Sequence, residues 1–219
     1  MRLYHHPFSS NARRALMTAI HLEVPLELEL VDLAKGAQRT PAFLAKNPNG
    51  RVPVLEDDGF FLSESHAIML YLADKTPGQT VYPSEPKARA DVHRWLFWSA
   101  QHFAPAIAVL NWERVVKPMI GAGPPSEHEE QRGERLVKEF AQVLDGCLKG
   151  RTWLAQDRLT LADLAVAAPL MSMRPARLRL EEMPHLLAWF RRVEQLPAWQ
   201  KTIAGPQPAA GPTPQASAE

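Results

Sequence analysis

Apolar positions change their period several times along the first 75 residues. Residues 2–5 (RLYH) are a short extended run that ends at Pro7. Ala12, Ala15, Leu16, Ala19 and Ile20 then recur at i, i+3, i+4, i+7 and i+8, which predicts one apolar helix stripe. Ser9, Ser10 and Asn11, all good N-cap types, stand just before it. After Pro25, Leu26-Glu27-Leu28-Glu29-Leu30 alternates strictly and predicts a half-exposed strand. Strand, helix and strand in this order form a βαβ unit. Thr40-Pro41 opens a short helix through Lys46, stopped by Asn47-Pro48-Asn49-Gly50. Val52 to Glu56 and Phe60 to Leu62 flank the turn Asp57-Asp58-Gly59 and predict a hairpin. Ser63 is placed to cap a helix on which Ile68, Tyr71 and Leu72 share a face. The predicted order is β-α-β-α-β-β-α.

Beyond Pro86 the strand signals stop. Residues 87–117 carry Val92, Trp95, Leu96, Trp98 and Phe103 at helical spacing. A loop from Gly121 to Ser126 precedes a helix over 127–148 with the stripe Leu136, Phe140, Val143, Leu144 and Cys147. Thr160-Leu161-Ala162-Asp163 opens another, with Leu161, Leu164, Ala165 and Ala168 inward. Pro184–Val193 and Pro197–Ile203 read as two shorter ones. Pro77, Gly78, Pro83 and Pro86 cluster between the halves. The expected organisation is an α/β domain over 1–76, a linker over 77–86, an all-helical domain over 87–204 and a disordered Pro/Ala-rich tail over 205–219.

Composition narrows the function. With 25 basic and 24 acidic residues the net charge is +1, so nucleic acid is not an expected partner. At 46% hydrophobic and 22% charged, the chain reads as globular. No apolar run approaches the roughly 20 residues that span a bilayer, and MRLYHH lacks the apolar stretch of a signal peptide. No membrane partner is expected. A single cysteine, Cys147, excludes an internal disulfide and any two-cysteine metal site. It fits a reducing, cytoplasmic setting. The eight histidines show no metal spacing, and no metal is expected. His5 and His6 are adjacent, which on a strand sends them to opposite faces. Neither a phosphate-binding glycine loop nor a G-x-S-x-G elbow occurs.

Three places carry candidate chemistry, each with a plainer structural reading beside it. Pro53 interrupts an apolar run, so it marks either an edge strand or a cis Val52–Pro53 bond. In the cis case Val52 would turn its N–H and C=O outward to pair with an extended peptide-like ligand. Glu64 and Ser65 either cap a helix or bind the ammonium and carboxylate of a free amino-acid end. Ser9, Ser10 and Asn11 either cap the first helix or donate to a bound thiolate beside its positive end. Lowering a thiol pKa by roughly two units requires about 2.7 kcal/mol. One charge-assisted hydrogen bond supplies about 1.5–3 kcal/mol, which is enough.

The segments LYHHPFSSNARRALMTA, FLAKNPNGRVPVLEDDGFFLSESHAIMLYLADK and LTLADLAVAAPL together resemble the cytosolic glutathione transferases, as a serine-type bacterial member that is theta- or phi-like. The resemblance spans residues 1–204. It implies a thioredoxin-like βαβαββα domain followed by an all-helical one. It implies detoxification chemistry with glutathione as co-substrate, its thiol activated and transferred to a small hydrophobic electrophile. It makes Pro53 a cis-proline, and Val52 the backbone partner of the cysteinyl part. Glu64 and Ser65 would hold the γ-glutamyl end, Arg51 would reach the tripeptide, and Gln38 and Arg39 would meet the glycyl carboxylate. Ser9 fits the catalytic serine, with Ser10 and Asn11 as further donors. Phe8, Phe103, Ile107, Leu110 and Trp112 would line the electrophile pocket. Thr160 and Asp163 would form a buried N-cap box. The resemblance also implies a homodimer through the helices at 64–74 and 87–117. A glutathione-binding carrier or scaffold, or an isomerase, dehalogenase or peroxidase on the same scaffold, are the competing functions. A cysteine-type nucleophile is absent from the first helix, and the cysteine of the zeta-type isomerase loop is missing.

Overall fold

Strand β1 (Arg2–His5) takes a central place because Leu3 and Tyr4 are both apolar and both faces of this strand are covered. In the computed structural model, which describes residues 1–203, β1 is followed by α1 (Ser10–His21) and β2 (Glu27–Leu30). A 3₁₀ turn (Ala37–Arg39) and α2 (Pro41–Leu44) lead into the hairpin β3 (Val54–Asp57) and β4 (Phe60–Leu62), then α3 (Ser65–Asp74). The sheet order is β2-β1-β3-β4. β1 and β2 are parallel, with Leu3 opposite Leu28, and the other pairs are antiparallel. Strand periodicity divides the core. Leu3 and Leu55 pack with Ala15, Ala19, Ile68 and Leu72 of α1 and α3. Tyr4 and Val54 pack on the other face with Val31, Phe43 and Val52.

β2 departs from the expectation of a half-exposed strand. Every residue in it is exposed, Leu28 by 46% and Leu30 by 63%. Alternation shows which side chains share a face, but not whether anything covers that face. The hairpin is tied to α3 through Asp57, which accepts from the Tyr71 hydroxyl (2.6 Å) and from the Lys75 ammonium. Lys75 and then Tyr71 hold the Asp57 carboxyl below its ordinary range. A lowered folded-state pKa stabilises above the unfolded value of about 4, and that contribution is lost as pH falls through the lowered value. Asp57→Asn therefore lowers the melting temperature near neutral pH. The gap to the wild type closes in acid, as paired thermal melts will show.

The second half is helical: α4 (Pro86–Trp98), α5 (Ala104–Asn111), α6 (Lys117–Met119), α7 (Glu127–Leu148), α8 (Leu161–Ala167), α9 (Pro184–Glu194) and α10 (Pro197–Gln200). α4, α5 and α6 follow one another through π turns at Ser99–Phe103 and Trp112–Val116. Each turn sits just before a proline. A proline ring clashes with the carbonyl four residues back. Ahead of Pro105 the Ala104 N–H reaches Ser99 O, and ahead of Pro118 the Lys117 N–H reaches Trp112 O, five residues back in both cases.

The buried stripe of α7 is Gly133, Val137, Ala141, Leu144 and Leu148. Leu144 is shared with the expected stripe, Leu136, Phe140 and Cys147 border the core, and Val143 is exposed. The shift follows from size. A Cβ at Gly133 would lie 2.7 Å from Leu110, so the closest helix approach selects the smallest residue.

Every residue of α8 is buried, so its first turn must satisfy its own polar groups. Asp163 does this. Its carboxylate accepts from Thr160 N (2.9 Å), Thr160 Oγ1 (3.1 Å), Leu154 N (2.9 Å) and Trp189 Nε1 (2.9 Å). Burial pushes this carboxyl up, and the four hydrogen bonds pull it back. The two halves are joined by Arg13. It lies over the Trp199 ring at 3.7 Å and donates to Trp199 O and Thr202 Oγ1 (both 3.1 Å). Among the described residues no helix is long and apolar enough to cross a membrane. The tail expected at 205–219 lies outside the described residues.

Candidate active site

The starts of α1 and α3 and the turn before β3 meet at a cavity of about 500 Å³, walled on its far side by α4–α5. That volume lies in the range of small-molecule sites.

At the α1 end, Ser9 has extended backbone and its Oγ accepts from the Ala12 N–H (3.2 Å). A hydroxyl used as a cap keeps its own hydrogen free to donate. Ser10 begins the helix. Asn11 Oδ1 accepts from Arg14 Nη1 (3.0 Å). All three line the cavity.

The α3 end differs from the sequence expectation. Ser63 does not cap the helix. Glu64 stands at the N-cap position with φ 68° and ψ 108° and makes no side-chain cap. A glutamate in this left-handed region is strained. The ten-residue helix is thus left with no side chain on its first N–H groups, beside a cavity lined by Glu64, Ser65 and His66. Uncapped N–H groups at a helix start favour an anionic ligand.

Between them runs the segment from Asn47 to Pro53. Asn47 is buried. Its Nδ2 donates to Arg51 O (2.8 Å) and its Oδ1 accepts from Asn49 N (3.1 Å). Gly50 has φ +58°, and a Cβ there would lie 2.9 Å from Gln38 O and 3.0 Å from Arg39, so glycine lets this turn close against the 38–39 loop. The Val52–Pro53 bond is cis. Val52 N–H and C=O have no backbone partner among the described residues, which leaves a strand-like edge on the cavity. Gln38, Arg39 and Arg51 complete the polar rim.

The opposite wall is apolar and small, made of Ala100, Ala104, Pro105 and Ala108, and Leu33 borders the cavity from the α/β half. None of the five residues expected there lines it. Phe103, Ile107 and Leu110 are buried in the helical core. Phe8 and Trp112 are 44% and 45% exposed and lie outside the cavity. The expectation followed large side chains, but packing took Phe103, Ile107 and Leu110 inward and left the alanine row on the cavity. Tyr4 is also off the cavity, its hydroxyl held by Glu56 (2.7 Å).

Sequence reasoning missed Arg14, Asn47 and His66. Arg14 lies on the face of α1 opposite the apolar stripe, where a basic residue reads as solvent-exposed. Arg14 is fully buried, and burial lowers its pKa to about 10. Burial, with Arg14 beside it, holds His66 down to about 3, so its imidazole is neutral at physiological pH. Among the described residues no group of three or more His, Cys, Asp or Glu is placed to hold a metal ion.

Residues 8–75 match the glutathione S-transferase N-terminal domain, and residues 103–197 match the glutathione S-transferase C-terminal domain. The chain is 35% identical to glutathione S-transferase theta-2 of Mus musculus, over 89% of this chain and 80% of that protein. It is also 35% identical to glutathione S-transferase 3 of Zea mays, over 100% of this chain and 99% of that one. The solved theta class enzyme of Xanthomonas axonopodis pv. citri, with glutathione bound, superposes with a TM-score of 0.86 at 30% identity, covering 94% of this chain and 97% of that one. The chain belongs to the glutathione S-transferase family.

Proposed function

We propose that this glutathione transferase is of the serine type, with Ser9 holding the glutathione thiolate in the cavity between α1, α3 and α5. The observation that carries this reading is convergence. A hydroxyl with an unused hydrogen, a strand edge with unpaired backbone groups and an uncapped helix start line the same space. Glutathione would lie extended along residues 51–53, pairing with Val52. Its γ-glutamyl ammonium would face Glu64, and the α-carboxylate would meet Ser65 and the first turn of α3. Gln38 and Arg39 are placed for the glycyl end.

The thiol proton passes to solvent, Ser9 donates a hydrogen bond to the sulfur while keeping its hydrogen, and the positive end of α1 adds to the field there. The thiolate attacks an electrophilic carbon held against Leu33, Ala104 and Ala108. A C–S bond forms, and the leaving group departs with the bonding electron pair. The serine stays neutral, and no covalent enzyme intermediate arises. Proximity and a lowered thiol pKa supply the rate. Phe97, exposed on α4, supports the expected contact with a second copy of the chain. The test of this reading is the thiolate ultraviolet absorbance of glutathione, titrated with and without the protein. Bound thiol should ionise well below the free value of about 8.5. A bound thiol that ionises at the free value leaves only a carrier, and the absence of binding removes the assignment.

A further inference from the structure

We infer that Arg14 is a positioning residue that turns Ser65 and Asn11 into hydrogen-bond donors toward the two anionic parts of the ligand, its carboxylate and its thiolate. This rests on the reading of the cavity as the glutathione site. Arg14 Nη1 lies 3.0 Å from both Asn11 Oδ1 and Ser65 Oγ, and 3.5 Å from His66 Nδ1. A guanidinium only donates, and Nη1 has two hydrogens for the two short contacts. The Asn11 atom facing it must therefore be the oxygen, which leaves the Asn11 amide N–H₂ as the group available to the cavity. Ser65 Oγ has a lone pair taken by a cation, so its O–H is directed to donate elsewhere. Asn11 and Ser65 both line the cavity, one at each helix start.

The burial of Arg14 is otherwise hard to account for. It is 2% exposed and has no carboxylate within ion-pair distance among the described residues. Its Nε and Nη2 are buried without partners. An apolar residue of similar size would fill the same space without desolvating a charge. The titratable groups facing it are Glu64, which is exposed and acts through space, and the neutral His66. An anionic ligand is what this cation lacks. Arg14 borders the cavity, but its two unpartnered nitrogens have almost no accessible surface, so it acts on the ligand through Ser65 and Asn11.

Glutathione binding by calorimetry and thiol ionisation by absorbance test this on the full chain. Arg14→Gln should weaken binding about tenfold and raise the ionisation midpoint by about one pH unit. Arg14→Lys, which restores a donor-only cation, should recover most of both. Asn11→Ala should move mainly the midpoint and Ser65→Ala mainly the affinity. Each should shrink the matching effect of Arg14→Gln in a double-mutant cycle. If the wild type binds glutathione with a lowered midpoint and Arg14→Gln does the same, the inference falls while the site stands. Additive effects in both cycles also overturn it. If the wild type does not bind glutathione, site and inference fall together. Should Arg14→Gln not fold, Asn11→Ala and Ser65→Ala decide alone, and moving the opposite quantities overturns the assignment.

Discussion

Ser9→Ala should lower turnover near neutral pH by roughly 10- to 100-fold, the equivalent of one hydrogen bond to a charged sulfur at about 1.5–3 kcal/mol. The sign of the pH dependence separates this from simple damage. Removing the donor raises the bound thiol's pKa, so less thiolate exists near neutrality. Activity should return as pH rises through the new midpoint. Loss of the α1 cap should cost about 1 kcal/mol of stability as well. Turnover against pH, with unfolding measured in parallel, checks both. A deficit that persists undiminished at alkaline pH would assign Ser9 to structure alone, and the donor role would pass to Ser10 or Asn11.

Asp163→Ala should produce the largest loss of stability of any single side chain discussed. Four donors converge on that carboxylate, from Thr160, Leu154 and Trp189. Asp163 and Thr160 have no exposed surface, so no water replaces the lost acceptor. An unsatisfied buried group costs about 1–3 kcal/mol, and several together reach about 3–6 kcal/mol. That is a large share of a typical domain's stability of about 5–15 kcal/mol. Thr160→Ala, which leaves the Asp163 carboxylate with three donors, should cost about 0.5–2 kcal/mol. Urea unfolding of both variants measures the ratio. An Asp163→Ala loss under about 1 kcal/mol would mean that the network is not what orders α8.

How legible these features were in the sequence follows from what each kind of residue does. Ala12 to Ile20 announced α1 because a helix stripe is a local pattern. Asp58-Gly59 announced the hairpin because that turn demands those residues. Val52-Pro53 and Glu64-Ser65 were legible because the positions that shape the polar half of the cavity lie close together along the chain. The apolar wall was not legible. Three of its residues are alanines, and an alanine on a helix carries no mark of whether it faces a core or a cavity. The same blindness hid Gly133 on α7. Ser63 misled because it is an excellent capping type, and only the φ of Glu64 shows that the cap is unused. Arg14 escaped because its partners are 3, 51 and 52 residues away, and two of the three meet it only through the packing of α1 on α3.

The turn at Ser99–Phe103 contains one more residue than its hydrogen bonds would require in a regular helix. The wider turn absorbs that residue, so α5 keeps the rotational phase that α4 sets. A residue gained between that turn and Pro105, with no second widened turn to absorb it, would carry each later side chain of α5 about 100° around the axis. The alanine row would leave the cavity, and the helix would have to choose between its core partners and its wall. The breadth of the cavity is thus governed by how many residues lie between that turn and Pro105 as much as by which residues they are. A change in count that the turn does not absorb would alter it more abruptly than any single substitution along the wall.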